Sequence, residues 1–317
     1  MYETDPRPAG AGTATDAPRV AVTGASGLIG SALVRALRAE GRRVVRLVRS
    51  RPQPGSGDVA WDPERGEIDA AGLEGVDAVV HLAGENVAQP WTAEAKRRIR
   101  ESRERGTRLL ARALAGLSDR PGVLVSASAI GFYGDRGDET LDESSGPGGG
   151  FLAEVCEGWE AAADPARDAG VRVVHPRIGV VLTPQGGALA KLLVPFRLGV
   201  GGKVGSGRQW MSWVALEDVV EALRFALRED ALSGPANLTA PSPVTNEEFT
   251  RVLGRVLHRP TLFAVPGAAL KLVMGQMAEE ALLAGQRVLP RALLDAGFEF
   301  RHPELEGALR AALGKRG

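Results

Sequence analysis

The amino-acid sequence predicts an α/β protein: a doubly wound parallel sheet carrying a smaller α-rich C-terminal lobe. Three observations carry that prediction. Short β-branched runs alternate with longer amphipathic ones from Arg19 to Leu182. One short run, "VDAVVHLAG" (Val76–Gly84), is almost wholly apolar, as a strand covered on both faces must be. A glycine triplet, Gly24, Gly27 and Gly30, stands where the first strand gives way to the first helix.

The elements follow in order. "RVAVTG" (Arg19–Gly24) reads as a strand and "GSALVRALRAEG" (Gly30–Gly41) as a helix with Leu33, Val34 and Leu37 on one face. "RVVRLVRS" (Arg43–Ser50) is the second strand, and Val76–Gly84 is another. Thr92–Leu117 is a long charged helix, "GVLVSAS" (Gly122–Ser128) a strand, and "GGGFLAEVCEGWEAAA" (Gly148–Ala163) a helix entered from a glycine loop. "VRVVHPRIGVVL" (Val171–Leu182) is the next strand region. Beyond about residue 183 the alternation loosens. Leu216–Glu229 and Thr245–His258 are helices, the latter opened by a Thr245-to-Glu248 capping box. The last 55 or so residues read as helical with breaks at Pro266, Pro290 and Pro303. The expected division is a tail over 1–18, a nucleotide-binding unit over 19–183, and a lobe over 184–317 interleaved with the sheet. That lobe ends in a helical module at about 262–313.

Bulk composition narrows the function. Hydrophobic residues make up 44% of the 317 residues, charged residues 25%, and acids and bases balance at 39 each. That balance argues against nucleic acid as a partner. One cysteine, Cys156, and four scattered histidines offer neither a disulfide nor ligand spacing for a metal. The polar N-terminal stretch has no apolar core of a secretory signal, and no apolar run reaches the roughly 18–20 residues that span a bilayer. No membrane association and a cytoplasmic location are expected. The sequence leaves oligomeric state open.

The glycine spacing carries the most specific chemistry. In "VAVTGASGLIGSALV", Gly24 permits a tight turn, Gly27 lets backbone approach a pyrophosphate, and Gly30 lets the helix pack close to the strand. The helix N-terminus contributes the amides of Leu28, Ile29 and Gly30, with Ser26 beside them. A plain strand–turn–helix built from small residues is the alternative. With Thr23 in front, Gly-x-x-Gly-x-x-Gly resembles the loop of the extended short-chain dehydrogenase/reductase superfamily. "HLAG" (His81–Gly84), "SASAIGFYG" (Ser126–Gly134), "RQWMSWVALEDVVEAL" (Arg208–Leu223) and "ANLTAP" (Ala236–Pro241) agree with it. "HLAGENV", "FLAEVCEGWEAAA", "NLTAPSPVTNEEF" and "LLAGQRVLPRALLDAGFEFRHPELEGAL" narrow the match to epimerase-family oxidoreductases of the NAD-dependent epimerase/dehydratase superfamily. Such proteins are atypical reductases that end in a small helical module. The resemblance runs from about Arg19 to Leu313 and implies a Rossmann-like fold and NADP(H) as cofactor.

The end of the second strand, "RLVRSRP" (Arg46–Pro52), contains no acid to accept from a ribose 2′-hydroxyl. Arg49 is the candidate clamp for a 2′-phosphate and Ser50 a second donor. The resemblance adds Leu82, Ala83, Gly84 and Glu85 to the cofactor-binding set. Such enzymes protonate the alkoxide left by hydride transfer with a Tyr-x-x-x-Lys pair on the helix after the serine strand. Here Leu152 and Cys156 take those places. The two tyrosines, Tyr2 and Tyr133, are followed four residues on by Pro6 and Gly137. Tyr133 is the candidate acid and Ser128, with Ser126 as runner-up, the candidate carbonyl-polarising hydroxyl. Cys156 more often suits an inert core position. Arg177 is expected either to shape the substrate pocket or only to pair with a carboxylate. Arg208, Trp210 and Trp213 are expected around the substrate, lobe packing being the alternative for the tryptophans. The glycine-rich stretch Gly134–Gly150 suits either a mobile lid or an ordinary surface loop. Two functions remain in view. One is an NADP(H)-dependent oxidoreductase or epimerase-like enzyme on a small carbonyl or sugar-type substrate; the alternative is a non-catalytic NADP(H)-binding sensor or scaffold.

Overall fold

A computed structural model describes residues 17–315; most of the expected N-terminal tail therefore lies outside the described residues. Chain order begins β1 (Arg19–Thr23), α1 (Leu28–Ala39), β2 (Arg43–Val48), β3 (Val59–Asp62), β4 (Glu67–Ile68), β5 (Ala78–His81), α2 (Ala93–Ala115), β6 (Val123–Ser126) and β7 (Ser128–Ala129). It continues with β8 (Thr140–Leu141), α3 (Phe151–Ala161), α4 (Asp164–Asp168), β9 (Arg172–Ile178), β10 (Val180–Leu182), α5 (Gly187–Arg197), β11 (Gly202–Val204), β12 (Trp210–Met211), β13 (Trp213–Ala215) and α6 (Leu216–Arg228). The C-terminal part is β14 (Gly234–Leu238), β15 (Val244–Thr245), α7 (Asn246–Leu257), β16 (Phe263–Val265), α8 (Gly267–Met274), α9 (Gln276–Ala278), β17 (Arg287–Val288), α10 (Arg291–Asp295) and α11 (Leu305–Ala312).

The main sheet runs β14-β9-β6-β5-β1-β2-β3-β4, with β7 beside β9. Every pair is parallel except β3 with β4. From β1 the chain winds outward through β2 and β3, then returns to the other side of β1 with β5. The switch point is therefore the gap between β1 and β5, above which such sheets bind ligands. Helices α1 and α6 cover one face, with Leu33, Val34 and Leu37 packed against Val219 and Leu223. Helices α2 and α4 cover the other through Leu110, Ala111, Leu114 and Ala166.

The last strand of the sheet, β14, comes from beyond residue 183. A separate core joins α5, α7 and α11, where Phe249, Val252, Leu253 and Val256 give α7 its i, i+3, i+4, i+7 stripe. Thr245 caps α7 by accepting from the Glu248 amide at 3.2 Å. The strand region Val171–Leu182 divides into β9 and β10 at Gly179, where a side chain would meet the Ser212 carbonyl at 2.4 Å. The C-terminal segment is less helical than its composition suggests. It gives β16, paired with β11, and β17, paired with β8.

Candidate functional site

The glycine loop is tight for steric reasons. Gly24 has φ +65, and a Cβ there would lie 2.9 Å from the Ala83 nitrogen and the Leu82 carbonyl. A Cβ on Gly30 would lie 2.1 Å from the Gly24 oxygen. Only glycine lets β1, the first turn of α1 and the strand end at Leu82–Ala83 converge this closely. No side chain caps α1 at Gly27, so the first-turn amides face outward without a local partner.

A buried relay fixes the other wall. Thr23 Oγ1 accepts from the amides of Leu82 at 3.0 Å and Ala83 at 3.2 Å. Its own proton therefore goes to His81 Nδ1, 2.7 Å away. The imidazole must then carry its proton on Nε2, which donates to Thr107 Oγ1 at 3.0 Å. Burial, with the Arg103 charge adding to it, lowers the His81 pKa to about 4, so the ring is neutral near pH 7.

Above this loop lies a cleft of about 1030 Å³. Its wall brings together Gly24, Ser26 and Gly27 with Arg49 and Ser50 at the end of β2. Leu82, Ala83, Gly84 and Glu85 close the other side. Leu28, at the helix start, instead packs against the chain beyond β10, where a Cβ on Gly186 would meet its Cδ1 at 3.3 Å. Five arginines line the cleft. Arg46 is held by Asp58 through two bonds of 2.9 and 2.5 Å, a pairing that lowers the Asp58 pKa. Arg97 pairs with Glu94 and Glu101, Arg98 with Glu85 and Glu94, and Arg105 with Glu101. Arg49 is exposed and makes no ion pair with the described residues.

At the C-terminal ends of β6, β9 and β14 is a buried polar network. Ser128 Oγ donates to Glu160 Oε1 at 2.7 Å. Arg177 grips the same carboxylate with Nε and Nη2, both at 2.8 Å, and donates from Nη1 to the Tyr133 hydroxyl at 3.0 Å. Tyr133 in turn donates to Asn237 Oδ1 at 2.8 Å or the Asp142 carbonyl at 3.0 Å. Burial raises the Tyr133 pKa, with Arg177 opposing it. The Arg177 guanidinium also stacks 3.4 Å from the Phe132 ring centroid.

The model of the NAD dependent epimerase/dehydratase family matches residues 20–238, and that of a domain of unknown function (DUF1731) matches residues 265–312.

The chain belongs to the NAD dependent epimerase/dehydratase family.

Epimerase family protein Mb2239 of Mycobacterium bovis is 48% identical over 299 residues, covering 94% of this chain and 98% of that protein. The human epimerase family protein SDR39U1 is 38% identical, with 92% and 98% covered. The crystal structure of the human protein (isoform 2) with NADPH matches at a TM-score of 0.86 and 36% identity, covering 94% of this chain and all of that one. A nucleoside-diphosphate sugar epimerase from Corynebacterium glutamicum matches at a TM-score of 0.78 and 39% identity; this chain spans 59% of that longer chain.

The helix on which the sequence resemblance places a Tyr-x-x-x-Lys pair is α3. Leu152 and Cys156 pack on the turn before Tyr133, where a Cβ on Gly131 would touch Leu152 Cβ at 3.1 Å. Burial pushes the Cys156 thiol up to about 11. Its Sγ contacts the Ala129 carbonyl at 3.6 Å, which suits a core residue.

The other residues expected at the site fall as follows. Tyr133 is fully buried and its hydroxyl is committed to Asn237, Asp142 and Arg177, so it does not face an open cleft as an acid. Arg177 is buried in the same network, paired with the Glu160 carboxylate, the second of its two expected roles. Trp213 is fully buried in the lobe core, its indole N–H on the Ser242 carbonyl, because β13 turns that side chain toward α7. Trp210 is half-buried, bonds Asp138 at 2.8 Å and stacks under Arg287. Arg208 is exposed. The Gly134–Gly150 loop is tethered, not loose: β8 pairs with β17, and Glu143 Oε1 accepts from the amides of Asn237 and Ala292.

Sequence reasoning missed four contributors. Arg103 lies under Gly84, donates to the Glu85 carbonyl at 3.0 Å and stacks on Trp159. Ser102 accepts from the Glu85 amide. Glu160 is one further helical step along the stripe of Leu152 and Cys156, a spacing that pointed to it. Glu280 accepts from the amides of Phe151 at 3.1 Å and Leu152 at 2.9 Å, so the C-terminal module caps α3. Nothing local in the sequence announces that last contact.

Proposed function

We propose that this chain is an NADP(H)-dependent oxidoreductase or epimerase-like enzyme acting on a small carbonyl or sugar-type substrate, without the usual Tyr-x-x-x-Lys dyad. The observation that carries the reading is the cleft: a glycine-tight cradle at the switch point with one arginine, Arg49 at the end of β2, that has no carboxylate partner among the described residues. A cradle in which Gly24 and Gly30 admit no Cβ fits a pyrophosphate, held by the first-turn amides of α1. Arg49 and Ser50 would hold the 2′-phosphate, and Leu82–Glu85 would line the adenosine side. When bound, the nicotinamide supplies hydride transfer. The chain's own residues would bind it, with the Thr23–His81–Thr107 relay fixing the Leu82–Ala83 wall of the cleft. NADPH in the human relative's crystal structure supports the choice of nucleotide.

A second reading, an NADP(H)-binding sensor without turnover, is favoured by one observation: Tyr133 is fully buried and no lysine stands beside it. The test is NADPH oxidation over a panel of small aldehydes, ketones and nucleoside-diphosphate keto-sugars. The enzyme reading predicts turnover above the buffer rate with at least one member. Tight NADPH binding with no turnover across the panel supports the sensor instead.

A further inference from the structure

Exposed apolar side chains gather where the end of α5 meets β16. Leu198, Val200, Leu262, Phe263 and Val265 are each at least 38% exposed, and Leu262 reaches 87%. The backbone holds these positions together. β16 lies parallel to β11 with Gly202 opposite Phe263 and Val204 opposite Val265, and Arg259 Nε donates to the Arg197 carbonyl at 2.9 Å. Clustered apolar exposure of this kind marks a contact surface.

The small sheet also has an open edge. In a parallel ladder a strand bonds its neighbour through every second residue. Phe263 and Val265 face β11: a Cβ on Gly202 would sit 1.8 Å from the Phe263 oxygen, and the Gly205 amide donates to the Val265 carbonyl at 2.9 Å. The N–H and C=O of Ala264 therefore point the other way, and all three residues of β16 are exposed. The far side of β11 is already taken, since the Val204 amide donates to Asn246 Oδ1 at 2.8 Å. Edge strands are ordinarily guarded by a charge. Residues 260–270 read PTLFAVPGAAL and contain none.

We propose that this edge pairs with the same edge of a second copy of the chain, β16 antiparallel to β16 about a two-fold axis at Ala264. The two Ala264 residues exchange N–H···O=C bonds, and Phe263 of one copy lies opposite Val265 of the other, twice. An aromatic ring against a β-branched side chain is a favourable cross-strand pair. Pro266 has no N–H and ends the ladder, so the pairing closes as a dimer instead of growing. Charge selects a second copy as the occupant. Two-fold pairing brings any charge in the segment close to its own copy, and here there is none to repel. An acidic or basic partner would find nothing on the strand to pair with. Lys203 and Lys271 at its borders are already matched by Glu247 at 2.7 Å and Glu279 at 2.9 Å. The whole chain is neutral, 39 acids against 39 bases, so no long-range repulsion opposes association.

Sedimentation equilibrium on the full chain, over about 1 to 100 μM, tests the pairing. Wild type is expected to approach twice the 33.3 kDa chain mass as concentration rises. Phe263→Glu and Val265→Lys each put a lone charge into the apolar pair and raise the dissociation constant about tenfold or more. Neither position lines the nucleotide cleft. Mixed in equal amounts, the two variants recover the dimer, because the new carboxylate of one faces the new ammonium of the other while the second Phe–Val pair stays intact. Misfolded variants would not recombine, so the mixture separates lost pairing from lost folding. Wild type that stays at the mass of one chain overturns the proposal, as does a dimer that both substitutions leave unchanged. Variants that fail to recombine overturn it too.

Discussion

At the scale of single residues, two side chains make sharp predictions. Arg49 is the cleft arginine that no described carboxylate neutralises. Removing a charge-assisted bond costs about 1.5–3 kcal/mol, so Arg49→Ala weakens NADPH binding about tenfold to hundredfold and leaves NADH nearly unchanged. Equal losses for the two nucleotides sink the clamp role. His81 makes a pH prediction. Its pKa of about 4 in the fold lies below the ordinary histidine value, so the fold favours the neutral ring. The contribution is complete above about pH 6.5. It is lost as pH falls toward 4, where the unfolded chain takes up a proton that the folded chain refuses, at up to about 1.4 kcal/mol per pH unit. Denaturation midpoints taken between pH 7 and 4.5 show a shallower decline for His81→Asn than for wild type. An identical slope means that His81 is charged or exposed. His175, also lowered chiefly by burial, keeps its share in both proteins.

At the scale of elements, α3 is held from outside itself. Its N-cap is Gly150, which offers no side-chain acceptor, and Glu280 supplies two oxygens from 129 and 128 residues further along the chain. Helix caps contribute about 1 kcal/mol. Glu280→Ala lowers stability in chemical denaturation by about that amount, and Glu280→Gln, which keeps one acceptor, loses less. Matching losses assign the effect to packing rather than capping. The central elements were legible because each carries its own period: the apolar run of β5, the stripe of Leu33, Val34 and Leu37 on α1, and the Thr245 cap on α7. The hairpin β3–β4 was not, since Val59–Asp62 and Glu67–Ile68 are too short to show alternation. Nor were β16 and β17, whose two or three residues are strands only because β11 and β8 lie beside them. The same limit explains Tyr133 and Arg177. Their type and position allowed chemistry at an open site, with carboxylate pairing the other reading for Arg177, but burial by Asn237, Glu160 and the tethered loop depends on contacts remote in sequence.

At the scale of the whole molecule, the winding of the sheet places its switch point between β1 and β5, and every glycine-loop contact follows from that topology. The C-terminal segment closes the structure around the strand ends rather than forming an appendage. Ser212 donates to the Gln286 carbonyl, Asn237 donates to the Leu289 carbonyl, and Glu280 seats on α3. The sequence therefore exposed the nucleotide half of the site, which is built from contiguous motifs. It left the polar network at the ends of β6, β9 and β14 obscure, since that network is assembled from β6, α3, β9, β14 and the C-terminal module. The central claim is that the cleft over the glycine cradle binds NADP(H). A fluorescence titration of the intact protein with NADPH and with NADH, at one fixed salt concentration, tests it most directly. The account predicts saturable binding of both with NADPH tighter by at least tenfold; NADH binding as tightly as NADPH, or no binding of either, contradicts it.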